Sequence, residues 1–331
     1  MINNIFRTLI AKGIVVVYLD DILIFMKMKE EHKWVVQRVL EVLVEHKLFL
    51  HSEKREFHRK EIEYLELVIS ENKVVMNPIK VTKVYDWPIL ENQTDMQAFI
   101  GFVNFYYHFI RDFSTIARPL FDLTHSNQAW NQDAKEQKAF KCLKMAMTTA
   151  PVLVLLQDSE PFCIEANSSD FASGAILSQQ LPGEEKWYLV AFYSKSLSLV
   201  EQNYEIHDKK MLTIIHTLEE WRYFLEGAQH LVEIWTDHKN LEYFMIAKKL
   251  NHCQARWSLY LARFNFKLVH YPGCCMGKPD TLLQRLDHGK GASNNEDMVL
   301  LQPELLAVWA LKGVQMEELE RDILREIHQE N

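Results

Sequence analysis

The run Val15-Val16-Val17-Tyr18-Leu19-Asp20-Asp21-Ile22-Leu23-Ile24-Phe25 constrains this chain more than any other stretch. Each flank is apolar at consecutive positions, the pattern of a strand buried on both faces, with Tyr18 to Asp21 as the tight turn between them. Two adjacent carboxylates at a turn inside a buried hairpin repel each other and lose hydration, so they need a compensating cation. A divalent metal ion is the natural candidate. Asp also tolerates turn geometry for purely local reasons, so the specificity lies in the apolar strands on both sides.

The 331 residues have room for two or three modest domains, and an apolar share of 48% is ample for a core. No uncharged apolar stretch is long enough to cross a bilayer, and the N-terminus lacks the order of a signal peptide, which reads as an intracellular, unsecreted chain without a membrane partner. Five cysteines without a Cys-x-x-Cys suggest neither a disulfide framework nor a structural zinc site. The net charge of −8 is unusual for a nucleic-acid protein. Most of it, −6, falls from Asp287 onward, so the remainder is near neutral and compatible with a local basic groove. Glycine supplies only 10 residues, so some turns that want left-handed backbone must use other residues and carry strain.

Along the chain, Val35, Val39, Val42 and Leu43 recur at helical spacing between Glu30 and Lys47. Two strand-like runs follow, Glu63 to Ile69 and Val74 to Met76, joined by the polar turn 70–73. Pro78 suits the first turn of a short helix ending before Trp87-Pro88. Thr94-Asp95-Met96-Gln97 reads as a capping box, with Phe99, Ile100, Val103 and Tyr107 on one face beyond it. A further helix from about Asp133 to Thr148 carries Phe140, Leu143 and Met147. From Pro161 the pattern turns to strands at 162–166, 172–180 and 187–193, then a long helix from about Leu199 to Leu225, a strand 231–236, helices near Leu241 and 254–264, a strand 265–271 and a short helix around 279–286. That order predicts an α/β domain with a mixed sheet. A polar linker at 288–296 and an acidic amphipathic helix at 316–328 close the chain.

Several motifs in one order resemble the reverse transcriptase and ribonuclease H region of polyproteins from long-terminal-repeat retrotransposons of the Ty3/gypsy type. They are Tyr-Leu-Asp-Asp-Ile-Leu-Ile-Phe at 18–25, Glu-Tyr-Leu-Glu-Leu-Val-Ile-Ser at 63–70, Phe-Ile-Gly-Phe-Val-Asn-Phe-Tyr at 99–106, Ser-Asp-Phe-Ala-Ser-Gly-Ala-Ile-Leu-Ser-Gln at 169–179, Trp-Arg-Tyr-Phe-Leu-Glu-Gly at 221–227 and Thr-Asp-His-Lys-Asn-Leu-Glu-Tyr-Phe at 236–244. The resemblance implies a fold of α/β and α+β parts. Residues 1–77 would be a partial palm with its acidic hairpin, 78–150 the thumb and connection, 151–287 a ribonuclease H-like mixed sheet with flanking helices, and 288–331 the acidic linker and helix. It also implies RNA, DNA and RNA-DNA hybrid as partners, with Phe105, Tyr106, Tyr107 and Arg111 as template-primer contacts. Aromatic and basic side chains so interleaved combine stacking with phosphate attraction, although large aromatics are just as readily core residues.

By the same resemblance, polymerisation uses Mg2+ or Mn2+ held by three carboxylates. Asp20 and Asp21 match two of them; the third belongs to an earlier palm strand, and Met1 stands only shortly before the hairpin, so the fingers and that strand are expected to be missing. Half a palm sheet would leave the 15–18 strand with an apolar edge open to a protein partner. Ribonuclease H chemistry uses four carboxylates around two metal ions. Asp237 and Asp280 match, but Asn167 and Lys210 stand at the other two positions. Asn keeps a neutral oxygen and loses a charge, and an ammonium about 4 Å from a metal ion opposes it by several kcal/mol even at an effective dielectric of about 20. Asp170 and Asp208 are near in sequence but face elsewhere. Glu66 and Leu283 replace the family's usual Gly and Ser. The expectation is a retrotransposon-derived RNA-directed DNA polymerase and ribonuclease H protein that is catalytically impaired; the alternative is a non-enzymatic nucleic-acid- or protein-binding module on the same scaffold.

Overall fold

Consecutive apolar residues on both sides of a two-residue turn make the first antiparallel ribbon, and neighbouring helices pack on one of its faces. The computed structural model describes residues 2–26, 28–50, 55–124, 134–238, 241 and 252–271. Two short helices, α1 (Ile2–Ile5) and α2 (Arg7–Ala11), lead into β1 (Val15–Tyr18) and β2 (Asp21–Ile24), and α3 (Lys29–Glu45) follows. α3 buries Val35, Val39, Val42 and Leu43, the stripe its spacing predicts, against Phe6, Leu9 and Val15.

Next comes a four-stranded sheet of β3 (Glu61–Tyr64), β4 (Leu67–Ser70), β5 (Lys73–Met76) and β6 (Leu153–Val154), in that order. The single strand expected over 63–69 is two strands. The chain reverses at Leu65 and Glu66, whose φ values of 50° and 63° lie in the left-handed region, and Tyr64 pairs with Leu67. A turn with both central residues left-handed normally uses Asn-Gly; Leu-Glu carries no such signal.

Between β5 and β6 lie the helices α4 (Pro78–Tyr85), α5 (Gln93–Phe105), α6 (Phe113–Asp122) and α7 (Ala134–Thr148). Pro78 is at the first turn of α4 as expected, and Asn77 Oδ1 caps it by accepting from Ile79 N at 2.8 Å. The cap of α5 is Asn92 rather than Thr94. Asn92 Oδ1 accepts from Asp95 N at 2.9 Å while Asp95 Oδ2 accepts from Asn92 Nδ2 at 2.9 Å, a reciprocal arrangement two residues earlier than expected. Phe99, Val103, Leu120 and Leu143, from three of these helices, are fully buried in one core with Met76 and Leu153 from the sheet. Each such side chain contributes roughly 1.5–3 kcal/mol by leaving water.

The remaining strands are β7 (Phe162–Ser168), β8 (Ala172–Gln180) and β9 (Trp187–Ser196), followed by α8 (Ile206–Glu220), α9 (Arg222–Leu225), β10 (Val232–Thr236), α10 (His252–Leu261) and β11 (Phe266–His270). The strand order is β11-β10-β7-β8-β9. β10 and β11 are parallel. β7 and β8 are neighbours joined by three residues, which only an antiparallel pair permits, so the sheet is mixed as expected. The helix expected from Leu199 begins at Ile206, after a separate 3-10 turn at Glu201–Asn203 and extended backbone at Tyr204 and Glu205, and it breaks at Trp221.

By internal contacts the chain divides into two compact units, Met1–Cys163 with Ile176–Ser196, and Ile164–Ala175 with the residues from Leu197 on. The helix expected at 254–264 is α10, whereas the helix expected near Leu241 lies outside the described residues apart from Leu241 itself, as do the helix at 279–286, the linker at 288–296, the helix at 316–328 and Asp280.

Candidate functional site

In the first unit, Tyr18 pairs with Asp21 across a turn formed by Leu19, at φ 51°, and Asp20. The hairpin is not buried on both faces. Val15 is buried and Val17, Ile22 and Ile24 pack on the α3 cluster, but Val16 and Tyr18 are exposed, and so are Asp20 and Asp21. The two carboxylates therefore keep their water, and the desolvation expected to demand a cation is not a feature of this turn. Asp21 is near enough to be felt by Tyr64, whose phenol is pushed up first by burial and then by the Asp21 charge. β1 pairs only with β2 among the described residues, leaving its other edge open.

The four aromatic and basic candidates do not share a face. Phe105 is 54% exposed at the end of α5, whereas Tyr106 is 1% exposed. The Tyr106 hydroxyl donates to the Glu66 carboxylate at 3.3 Å, and burial followed by the Glu66 charge pushes its ionisation well above the ordinary range. A stacking role therefore does not fall to Tyr106, which is a core residue. Tyr107 is half-buried, its ring 3.8 Å from that of His108, and Arg111 is half-buried next to Asp112. The Asp112 carboxyl is pushed up to about 7 by burial, against the opposing pull of Arg111.

In the second unit, three of the four expected ribonuclease H positions are described. β7 carries Asn167, α8 carries Lys210, and Asp237 follows the last residue of β10. α8 is fastened to β8 through the Thr213 hydroxyl, 2.8 Å from that of Ser173, a contact that fixes which face of the helix Lys210 occupies. Lys210 Nζ donates to Asp237 Oδ1 at 2.5 Å, with side-chain exposures of only 11% and 19%. Asn167 is buried and its Oδ1 accepts from the next backbone amide, Ser168 N, at 2.8 Å. The neighbouring acids are committed elsewhere. Asp170 accepts from Lys209 at 2.7 Å, and Asp208 accepts from Gln254 Nε2 at 2.9 Å. His238 is held below its ordinary value, first by burial and then by the Lys210 charge. One carboxylate escaped the sequence reading: Glu165 is buried one strand period before Asn167 and so on the same face of β7, a relation the period-2 pattern contains.

These residues do not fit a pair of divalent ions. An ammonium already neutralises Asp237, and the amide oxygen of Asn167 is turned to its own backbone. Among the described residues, no group of three or more His, Cys, Asp or Glu is placed to hold a metal ion. No described helix is long and apolar enough to cross a membrane.

Residues 1–69 match the family model of reverse transcriptase (RNA-dependent DNA polymerase), and residues 157–264 match that of the RNase H-like domain found in reverse transcriptase. Fold and matches together make the chain similar to a reverse transcriptase segment followed by an RNase H-like domain. More particularly, 279 residues are 33% identical to the transposon Tf2-3 and Tf2-7 polyproteins of Schizosaccharomyces pombe, covering 82% of this chain. The chain spans 21%, about a fifth, of those relatives' length. Among solved structures, a foamy viral protease-reverse transcriptase in complex with double-stranded DNA superposes with a TM-score of 0.69 at 17% identity, over 82% of this chain and 47% of that one. The same viral enzyme in complex with an RNA/DNA hybrid gives 0.68 at 17% identity, over 91% and 40%. At that identity the likeness establishes the fold.

Proposed function

We propose that this chain is the reverse transcriptase and ribonuclease H-like segment of a retrotransposon polyprotein of the Ty3/gypsy type, and that its ribonuclease H-like cleft does not carry out metal-dependent hydrolysis. The observation that supports this is the Lys210–Asp237 pair, in which the chain's own cation takes the place that a divalent ion needs. A second ion would depend on Asn167, which brings no charge. In this reading 1–77 is palm, 78–150 thumb and connection, and 151–287 the ribonuclease H-like domain.

The acidic turn differs. Asp20 and Asp21 are hard oxygen ligands open to solvent and fit Mg2+ or Mn2+ as two members of a larger carboxylate set; such an ion would neutralise a triphosphate when bound. Of Phe105, Tyr106, Tyr107 and Arg111, Phe105 and Arg111 remain the template-primer contacts we propose; Tyr106 is core and Tyr107 lines a separate cleft. RNA, DNA and RNA-DNA hybrid are the proposed partners, supported by the nucleic-acid complexes of the structural neighbours.

A hybrid-cleavage assay in magnesium or manganese tests the reading. Hybrid bound without cleavage, with affinity falling steeply as salt rises, is the expected result and would also favour a non-enzymatic binding module. Strong cleavage abolished by Asp237→Asn would overturn it.

A further inference from the structure

The first unit contains a cleft of about 510 Å³ that the function proposed above does not use. α5 contributes Asn104 and the turn after it Tyr107; α6 contributes Phe113, Ser114, Arg118 and Phe121; the end of β9 contributes Ser194, Lys195 and Ser196. Two chemistries meet there. Tyr107, Phe113 and Phe121 make one side aromatic, with ring centroids 6.3 Å apart at each step, planes inclined by 48° and 85°, and Phe113 mostly buried between its neighbours. The other lining residues bring two cations, three hydroxyls and one amide, and among the described residues no carboxylate lines the cleft.

The polar side is built rather than incidental. The Ser114 and Ser194 hydroxyls are hydrogen-bonded to each other, and Ser114 N at the start of α6 donates to Ser194 Oγ at 3.3 Å. Asp122 holds Arg118 by its Nε at 2.8 Å, which orients the guanidinium and also competes for it.

We infer that this cleft binds a nucleoside phosphate, the base against the aromatic side and the phosphate on Arg118 and Lys195. The face of a single aromatic ring suits a base on its own π face. Guanidinium, ammonium and hydroxyl donors suit a phosphate, and the Asn104 amide, with both donor and acceptor, suits a base edge. The volume lies within the usual span of small-ligand sites, roughly 300–1,000 Å³. A bare anion would leave the aromatic side unused, and a single phenol bearing a phosphate would cover only part of it. The ligand is either a free nucleotide or the 5′-phosphorylated end of a strand. The inference is independent of the ribonuclease H-like cleft.

Titration calorimetry on the full chain tests it with adenosine 5′-monophosphate, inorganic phosphate, adenosine and phosphotyrosine. The nucleotide should bind at least about tenfold more tightly than each of the others, since it alone engages both halves of the site. Arg118→Ala with Lys195→Ala should weaken it about tenfold, whereas Asp122→Asn should tighten it about threefold by releasing the guanidinium. A gain of affinity cannot come from misfolding. Competition with short deoxyoligonucleotides then separates the sources: displacement by a 5′-phosphorylated but not a 5′-hydroxyl strand identifies a strand end, and displacement by neither identifies the free nucleotide. Nucleotide binding no tighter than that of phosphate or phosphotyrosine, or unchanged in the double variant, would overturn the inference.

Discussion

The acidic turn at Asp20-Asp21 and the cleft at Asp237 hold the same functional groups in opposite surroundings. In the turn both carboxylates stand in water, and nothing in the fold has to neutralise them. In the cleft the carboxylate is mostly enclosed, and Lys210 neutralises it from within the chain. An acid left in solvent can wait for a metal ion at little cost, whereas an enclosed one must have a counter-charge whenever the chain is folded. On the function proposed above, a lysine at 210 in place of a carboxylate would do two things in one step: remove a metal ligand, and stabilise the fold without metal.

Lys210→Ala should produce the largest effect. It leaves Asp237 enclosed without its ammonium, and unfolding free energy should fall by about 2–3 kcal/mol, below the full range for broken buried pairs because both side chains keep some water. Asp20→Asn and Asp21→Asn should each stay within about 0.5 kcal/mol. Urea titrations of the three variants check this, and equal losses would erase the distinction.

Asn167→Asp combined with Lys210→Glu makes the cleft resemble the turn in charge while keeping it enclosed. Manganese at about a hundredfold excess over its dissociation constant should then add about 2.7 kcal/mol of stability, seen as a rise in melting temperature that the parent chain lacks. A double variant indifferent to manganese would show that these two residues are not what excludes the ion.

Asp112 sharpens the comparison as an acid that burial favours in its neutral form. Its ordinary value is 3.8 and burial pushes it up to about 7. Between those values the folded chain retains a proton that the unfolded chain has released, so stability falls as pH rises through this window and levels off above it. The loss should be about 1–2 kcal/mol after discounting for the water that still reaches the carboxyl. Denaturation at pH 5 and pH 8 should show the difference in the parent and not in Asp112→Asn.

The smallest effect belongs to the turn itself. Leu19 is 77% exposed at φ 51°, so Leu19→Gly should relieve left-handed strain and, after the added freedom of the unfolded chain, gain about 0.5 kcal/mol. A small rise in melting temperature checks it.

Periodicity made the α3 stripe and the strands of the mixed sheet legible, because a regularly repeated apolar spacing arises almost only where an element buries one face. It failed where one residue decides. Leu65 and Glu66 turn the chain without a glycine to mark the place, and Glu66 is held there by its ion pair with Lys80 and by the Tyr106 hydroxyl. Adjacent Phe105 and Tyr106 look alike in sequence, yet the core takes only Tyr106. From the sequence, Lys210 could be read only as an ammonium that would oppose a metal ion. The direct grip of Lys210 on Asp237 was not legible, because that contact joins a helix to the end of a strand 27 residues away.

The small sheet is closed by its shortest member. Lys73 and Val74 pair with Val154 and Leu153, Leu155 N donates to Asn72 O at 3.3 Å, and Gln157 Nε2 reaches Asn72 Oδ1 at 3.0 Å. Everything from 75 to 152 is thereby an excursion whose two ends are zipped side by side, at a closure entropy of about 4 kcal/mol that its helical core must outweigh. Paired antiparallel positions lie about 4.5–5.5 Å apart. The seam also ties the two parts energetically: Met76 and Leu153, one from each side of it, sit in the core that the helices of the excursion build, so sheet and helices stand or fall together.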